Sequence, residues 1–573
     1  MVRKQISKKK KTNSFLQRRK GKTDTQYEYL VEKHVIKLNH SHYKLLDKYA
    51  HLANNIYNQG LYRFRQALFQ GKWLTYANLD KSFNLVKDKW IPVFDGQKES
   101  ELSLLELFQT VNSDDRLTLI GDSHTQSLVL LRFLLAITQS VYPSQVAQDK
   151  LWEQGKFDDK VTNYLQANQD KFDMFGNHPF YQVTLDEFNS LVADKNKVYD
   201  GKERGVLLVK QMNRNINESA NTPNLFAPKT NNTKNDLTMS EFVRWLITYQ
   251  NVTGSTDKVN VDLGYKFQRS AGWLYKLNPV YLQNASLFKT IVGNMIPNDV
   301  EQKPIWDWDI KEYVEQVNEL PDNLAQLYTL QSRLIHIVWD GQTPTLYTAA
   351  LPMPDRVNAT IEPMTIWRTT KSDELIPAVR NLDNIHSELL FEMNEVLGDN
   401  GATILKHARN DNWTLVNVNY INDGNPTSQI PAYEYYSTYP YTTGDKDKLI
   451  DNANMVQEII KSYLIMCKSL QKFKSTRDDI GRDKISQKMI DKDVDAFIDM
   501  LKTLYRSYSP MEDKNKWKVN LRTKVGDYAE QQFAQRLTKR DMSITREDKP
   551  HNVFEITNLF FSHLKRITRI KED

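Results

Sequence analysis

The sequence predicts an α+β protein. A mixed body of short strands and helices leads into a C-terminal four-helix bundle, and a basic tail with a short strand-helix fragment stands in front. Three observations predict this. The first eighty residues differ in charge from all that follow. Short aromatic and β-branched runs alternate with helical stripes between residues 82 and 443. From residue 449 onward, four segments repeat apolar side chains near the 3.6-residue period of a helix. A chain of 573 residues should hold roughly three to four units of about 150 residues. The boundaries fall at 1–24, 25–81, 82–443 and 444–573.

Charge separates the tail from the body. Residues 1–80 hold 17 Lys+Arg against 5 Asp+Glu; subtracting these from the totals of 77 and 71 leaves 60 against 66 for the rest. The body therefore lacks a general basic surface, and any nucleic-acid contact in it must come from a few placed cations, loops and polar wedges. A single cysteine, Cys467, excludes an internal disulfide framework and any multi-cysteine zinc site, and fits a reducing cytoplasm. No apolar run approaches the ~18 residues of a membrane span. The best candidate, Ser127 to Ile137, is short and contains Arg132. The basic N-terminus has no apolar h-region behind it, so no secretory signal is expected. No Gly-rich phosphate loop, no HExxH spacing and no convincing set of metal carboxylates occurs, so neither a cofactor nor an ATPase or nuclease activity is expected. His178 and His336 stand alone and read as satisfied core groups.

In chain order, Met1 to Asp24 carries ten cations and one acid. Such a block repels itself, and it serves either as a phosphate-binding arm or as a solvated tail. Tyr27 to Ile36 reads as a strand, and His42 to Gln70 has helical spacing through Leu45, Tyr49, Leu52, Ile56, Leu61 and Phe64. Glu32 to Lys37, Asn54 to Asn58, Tyr62-Arg63-Phe64-Arg65-Gln66 and Leu74-Thr75-Tyr76 resemble the opening strand and first helix of transposon-encoded TnpB/OrfB proteins. That resemblance implies a truncated fragment without cleavage, with guide or DNA contacts from Arg63 and Arg65. The alternative is an insertion or gene-fusion scar.

From Phe83 the composition changes. Phe83 and Leu85, then Trp90, Ile91 and Val93, predict two short strands around a turn at Lys87-Asp88-Lys89, with Pro92 favouring an edge. Leu102 to Phe108 reads as a short amphipathic helix and Arg116 to Ile120 as an extended piece. Asp122-Ser123-His124-Thr125 supplies cap residues for the apolar helix Ser127 to Val141, whose nearly all-round hydrophobicity predicts burial. Val161 to Leu165 suits another helix, and the aromatics around Gly176 and Pro179 predict an ordered, buried turn.

The final four helices are expected at Leu449–Phe473, Lys484–Tyr508, Trp517–Leu537 and Val553–Ile570. Their stripes are Met455, Ile459, Tyr463 and Met466; Met489, Val494, Phe497, Leu501 and Leu504; Val525, Tyr528, Phe533 and Leu537; and Val553, Ile556, Phe560, Leu564 and Ile567. These are core faces of a bundle.

Several motifs hold their order over residues 82–573: Asn84-Leu85 with Trp90-Ile91-Pro92-Val93; Gly121-Asp122-Ser123 before Leu130 to Ile137; Phe172 to Phe175 with His178 to Gln182; Asn221 to Phe226; Glu362 to Arg368; and Gly526 to Phe533. In combination they resemble the CasA family, the large subunits of the type I-E CRISPR surveillance complex, Cascade. The resemblance implies a non-catalytic DNA-binding subunit that recognises the protospacer-adjacent motif in double-stranded DNA and promotes strand separation beside the CRISPR RNA. The implied partners are the other Cascade subunits, the CRISPR RNA, target DNA and the effector helicase-nuclease, with no membrane. Guide pairing would supply sequence specificity while the protein reads the motif.

The family implies a glycine-containing loop, a lysine finger and a glutamine wedge as the reading parts. The loop should follow the helix Met239 to Gln250, at Thr253, Gly254 and Ser255, where glycine permits close approach; a helix-ending glycine is the alternative. The finger falls at Lys371 or Arg368, against an ordinary hairpin lysine. The wedge falls at Gln429, beside Ser428 in the turn-rich Gly424 to Pro431. The polar stretch Asn213 to Phe226 would dock on the guide through Asn221, Thr222, Asn224 and Phe226, or else be a solvent loop pinned by Phe226. A second class of function, a transposon-linked fusion, would let the TnpB-like piece bind nucleic acid and modulate the complex. A third, a GDS-type esterase, would use Ser123 with Asp548 and His551, but a C-terminal bundle does not suit that fold.

Overall fold

The computed structural model describes residues 43–51, 82–199, 205–207, 209–212, 230, 233–255, 257–269, 271–339, 343–380, 389–421, 433–474, 483–507, 514–537, 539 and 552–570. Residues Met1–Ser82 and Phe83–Asp573 pack as separate units. In the first, residues 43–51 are helical, within the span predicted for a helix. The expected strand Tyr27 to Ile36 lies outside the described residues, as do Arg63 and Arg65.

The second unit opens with a three-stranded antiparallel sheet of order β2-β1-β3, where β1 is Ile91–Phe94, β2 Glu99–Leu102 and β3 Thr118–Leu119. Phe83 to Leu85 does not form the expected strand. Asn84 makes one bridge to Asp173, and its side chain accepts the Val86 amide to start a turn. Pro92 is central rather than at the edge. It is tolerated because β3 pairs only through Val93 and Phe94; the Pro92 carbonyl still accepts the Ile120 amide, and the missing N–H falls at the end of the ladder. Helix α1, Leu104–Thr110, starts two residues later than expected. Leu102 belongs to β2, and Ser103 with Glu106 forms a capping box.

Helix α2, His124–Val141, is capped by Ser123 and buried along nearly its whole length, as its composition predicts. Around it pack α3, Asp159–Ala167, and α4, Met239–Val252. The Phe172 to Gln182 turn is ordered and buried through Phe172, Met174, Phe180 and Tyr181. No single described helix is long and apolar enough to cross a membrane.

Among the described residues, three further antiparallel sheets follow. Strands β4 (Val206–Leu207), β7 (Thr345–Ala350) and β6 (Arg333–Val338) pair in that order, and β11 (Tyr433–Tyr441), β10 (Trp413–Ile421) and β5 (Val280–Gln283) form another sheet. Strands β8 (Trp367–Thr369) and β9 (Leu375–Pro377) make a small hairpin. The mixture of separate helices and antiparallel sheets is an α+β fold.

Four long helices follow: α5 Lys446–Lys474, α6 Asp483–Ser507, α7 Lys514–Arg536 and α8 Val553–Ile567. Each packs on the next, and α8 returns to α5. They share a second core with Phe391, distinct from the first. Helix α5 spans both, with Leu449 and Ala453 in the first core and Met455 onward in the second. Met489 departs from its expected stripe and is 59 % exposed. Trp517 and Leu521, not assigned to a stripe from sequence, are fully buried.

Candidate nucleic-acid interface

The site is built on a buried carboxylate. Arg132 interrupts the apolar run of α2, and a guanidinium inside a core needs a counter-charge. Glu362 supplies it, with both partners 0 % exposed and two parallel bonds of 2.8 and 2.9 Å. Glu362 also accepts the Trp273 indole N–H at 2.6 Å and the Met364 amide at 3.0 Å. The Arg132 guanidinium lies over the Tyr328 ring, 4.5 Å from its centre. One side chain thus ties α2, the segment around Trp273 and the turn that leads into β8 at Trp367.

The predicted glycine loop starts later than expected, because α4 continues to Val252. Thr253 and Gly254 are buried and Ser255 is half-buried. Two arginines set this geometry. Arg333 donates to the Gly254 carbonyl at 3.3 Å, faces Asp257 at 3.3 Å with both side chains fully buried, and lies over the Tyr249 ring. Arg269 donates to the Asp257 and Lys258 carbonyls, while Ser255 Oγ donates to the Arg269 carbonyl at 2.7 Å. The loop closes where the Gly272 amide donates to the Thr253 carbonyl. A Cβ at Gly272 would meet the Asn251 carbonyl oxygen at 2.4 Å, so glycine is required there by close backbone approach. The polypeptide presented outward at the start of this loop is Ser255 rather than Thr253 or Gly254.

The β8–β9 hairpin places Arg368 and Lys371 on the surface, both exposed. Its tip is a tight turn in which Asp373 adopts φ 65°, a left-handed conformation that Asp accepts. The Glu374 amide donates to Thr370 Oγ1 and Ser372 Oγ donates to the Glu374 carboxylate, leaving Lys371 without a bonded acid among the described residues. Below the tip, Asn278 donates its amide to Thr365 Oγ1 and accepts from Asn417 Nδ2 at 2.9 Å. Arg380, just past β9, bonds Asn417 and Glu392 and lies over the Tyr435 ring at 3.8 Å. Asn419 donates to the Leu277 carbonyl at 2.6 Å. The segments flanking the β8–β9 hairpin, Leu277-Asn278 and strand β10 are therefore joined in one buried polar network, with Tyr435 of β11 against Arg380.

Strands β10 and β11 pair from Trp413↔Tyr441 to Ile421↔Tyr433. The connection carrying Ser428 and Gln429 lies outside the described residues, and so do Asn221, Thr222, Asn224 and Phe226. Among the described residues, Arg333 and Asp257 support the loop, while Asn278, Asn417 and Arg380 bond one another around the base of the β8–β9 hairpin. Sequence reasoning missed Glu362, Arg333, Arg380, Asn278 and Asn417 as supporting residues. The signals were there in part: Arg132 inside an apolar helix, and two asparagines alternating in a strand otherwise apolar.

Ser123 has a structural job. Its Oγ accepts the Gln126 amide as the α2 cap and lies 2.6 Å from the Tyr420 hydroxyl. Asp548 and His551 lie outside the described residues. Nearby, Arg244 is nearly buried and bonds Glu101 at 2.7 Å, Asp122 at 3.0 Å and the Trp90 carbonyl. Among the described residues no group of three His, Cys, Asp or Glu side chains is placed to hold a metal.

This fold, with a mixed body carrying exposed hairpins and a helical C-terminal core, is similar to solved structures of Cse1 and CasA proteins. Thermobifida fusca Cse1 superimposes with a TM-score of 0.65 at 19% identity, covering 85% of this chain and 98% of that one. Thermus thermophilus CasA gives 0.60 at 16% identity, covering 85% and 99%. A chain of a CRISPR RNA-guided surveillance complex gives 0.57 at 12% identity, covering 85% and 100%. A profile of the CRISPR-associated protein Cse1 family matches residues 84–385, more than half of the sequence, and the chain belongs to that family. No curated protein matches it.

Proposed function

We propose that this chain is the non-catalytic large subunit of a type I-E CRISPR surveillance complex. In the cytoplasm it joins the other Cascade subunits on the CRISPR RNA, reads the protospacer-adjacent motif in double-stranded DNA and starts strand separation there. It then recruits the helicase-nuclease that destroys the target. Membership of the Cse1 family and likeness to a surveillance-complex chain support the assignment. The observation that carries the reading role is Lys371, exposed at the tip of a hairpin whose base is fixed by buried polar contacts. A cation held on a rigid support can enter a groove at a defined depth. Arg368 adds charge on the same hairpin, Ser255 faces the duplex edge beside the buried Thr253 and Gly254, and Gln429 with Ser428 wedges the first base pair. Asn221, Thr222, Asn224 and Phe226 dock on the guide-bound backbone.

The test is electrophoretic mobility of a reconstituted complex on a matched duplex with a randomised flanking motif. Gln429→Ala and Lys371→Ala should each lose binding selectively on the preferred motif, and the lysine variant should lower the salt slope by about 1. If both variants bind like the native complex, the reading residues lie elsewhere.

A second reading has its own observation: Met1–Ser82 packs as a separate unit and residues 1–80 carry a surplus of 12 cations. In this reading the TnpB-like piece, through Arg63 and Arg65, binds nucleic acid and modulates the complex. Deleting residues 1–81 decides it, because unchanged assembly and motif binding would make the piece passenger sequence.

A further inference from the structure

A cleft of about 950 Å³ opens beside Tyr420 and Glu434, where β10 and β11 approach their connection, next to the start of α2. Its walls carry four carboxylates, Glu99, Glu101, Asp122 and Glu434, together with Tyr281 and Tyr436. The guanidinium in the wall, Arg244, is already bonded to Glu101 and Asp122. Glu434 uses one oxygen on the Thr125 amide at 2.7 Å; among the described residues its second oxygen makes no hydrogen bond, and the Glu99 carboxylate makes none. The cleft is therefore strongly negative and has acceptors to spare. Phosphate-bearing ligands are repelled and cations are drawn in.

Tyr281 is a separate pointer to a ligand. It is only 6 % exposed, it lines the cleft, and its hydroxyl has no hydrogen-bond partner among the described residues. The hydroxyl opens on the cleft rather than being sealed in, so an otherwise buried side chain offers a polar contact to a molecule bound there. Tyr436 adds an aromatic surface. It is stacked on His124 with ring centres 3.7 Å apart and remains 42 % exposed.

We propose that this cleft binds an arginine side chain presented by a basic segment of a partner protein. A guanidinium is planar, so it lies flat on an aromatic ring while its fork bonds a carboxylate and a hydroxyl; an ammonium cannot do both. The adjacent residue of β11 already shows the same chemistry, where Arg380 lies over Tyr435 and pairs with Glu392. The site uses neither Lys371 nor Gln429, so its test is separate from that of the DNA-reading role.

The test uses the full chain and fluorescence anisotropy of three labelled probes: a triarginine peptide, a trilysine peptide and a short oligothymidine. The arginine peptide should bind more tightly than the lysine peptide, and the oligothymidine should not bind in the cleft. The double variant Glu434→Gln, Tyr436→Ala should weaken the arginine peptide by about tenfold or more. Glu99→Gln, a change at an exposed side chain that cannot prevent folding, should weaken it severalfold, as should Tyr281→Phe. Equal binding of both peptides with native affinity in the variants would reduce the effect to general attraction of polycations and overturn the site. Oligothymidine binding that the variants abolish would overturn it in favour of a nucleobase pocket.

Discussion

Glu362→Ala is the sharpest test of the buried network that joins Arg132, Trp273 and Met364. The change leaves the fully buried Arg132 guanidinium without its counter-charge, which costs about 3–5 kcal/mol. It also removes the acceptor of the Trp273 indole and the Met364 amide, and a buried donor left unpaired costs about 1–3 kcal/mol. The contributions share one site and do not add in full, so about 5 kcal/mol is expected. Urea unfolding followed by tryptophan fluorescence reads this directly. With a slope of about 3 kcal/mol per M, the midpoint should fall by about 1.7 M. The double variant Arg132→Met, Glu362→Leu removes both charges, and replacing a buried pair by apolar groups of similar size is often neutral. It should recover most of the loss while still leaving the Trp273 indole unpaired. A single variant within about 1 kcal/mol of native, or a double variant no better than the single, would refute the idea that the charge pair organises this region.

Other expectations follow from the same geometry. Gly272→Ala should cost about 1–3 kcal/mol by calorimetry because the new methyl meets backbone, whereas Gly444→Ala, with nothing within 4 Å, should be near neutral. In the C-terminal core, Phe497→Ala should cost about 3–5 kcal/mol, while Met489→Gln on the exposed face should stay within about 0.5 kcal/mol. Comparable losses at the two positions would disprove the assigned core face. Burial pushes Tyr164 up to about 12 and drives Tyr181, Tyr313 and Tyr328 upward as well. A folded pKa above the unfolded value of about 10 gives stability that is complete below pH 10 and is lost as pH rises through the folded value. Tyrosinate absorbance of these groups should therefore rise together with loss of circular dichroism between about pH 10 and 12. Their ionisation near pH 10 with the fold intact would contradict their burial.

Periodicity is a local code, and that decides what could be read in advance. The helix expected at Leu449–Phe473 is found at Lys446–Lys474, and the one expected at Lys484–Tyr508 at Asp483–Ser507, because each stripe repeats over many turns. The misses are equally physical. Pro92 reads as an edge residue by rule but sits mid-sheet because β3 is only two residues long. Met489 fits the stripe but lies on a side of α6 that stays open to solvent.

The surroundings of the candidate site are legible where they are local and illegible where they depend on distant partners. Lys371 stands between two short strands, and its exposure follows from the hairpin itself. Glu362 lies 230 residues from Arg132 and 89 from Trp273, and no spacing rule connects them. Arg132 within an apolar helix announces that some carboxylate must meet it, yet the chain offers 71 acids. The fold makes the choice. Arg333 and Arg380 repeat the pattern, each nearly or fully buried and each held by an acid and an aromatic ring. A fourth buried arginine, Arg244, is held by Glu101 and Asp122 near the start of α2, so the pattern runs through the body; Arg333 fixes the Gly254 carbonyl and Arg380 stands just past β9. Buried ion pairs contribute little net stability compared with apolar packing, but they demand one geometry. The bidentate Arg380–Glu392 pair just past β9 is what an exposed lysine on that hairpin needs if it is to enter a groove at a fixed depth, because a support of apolar contacts alone can slip while a bidentate pair cannot.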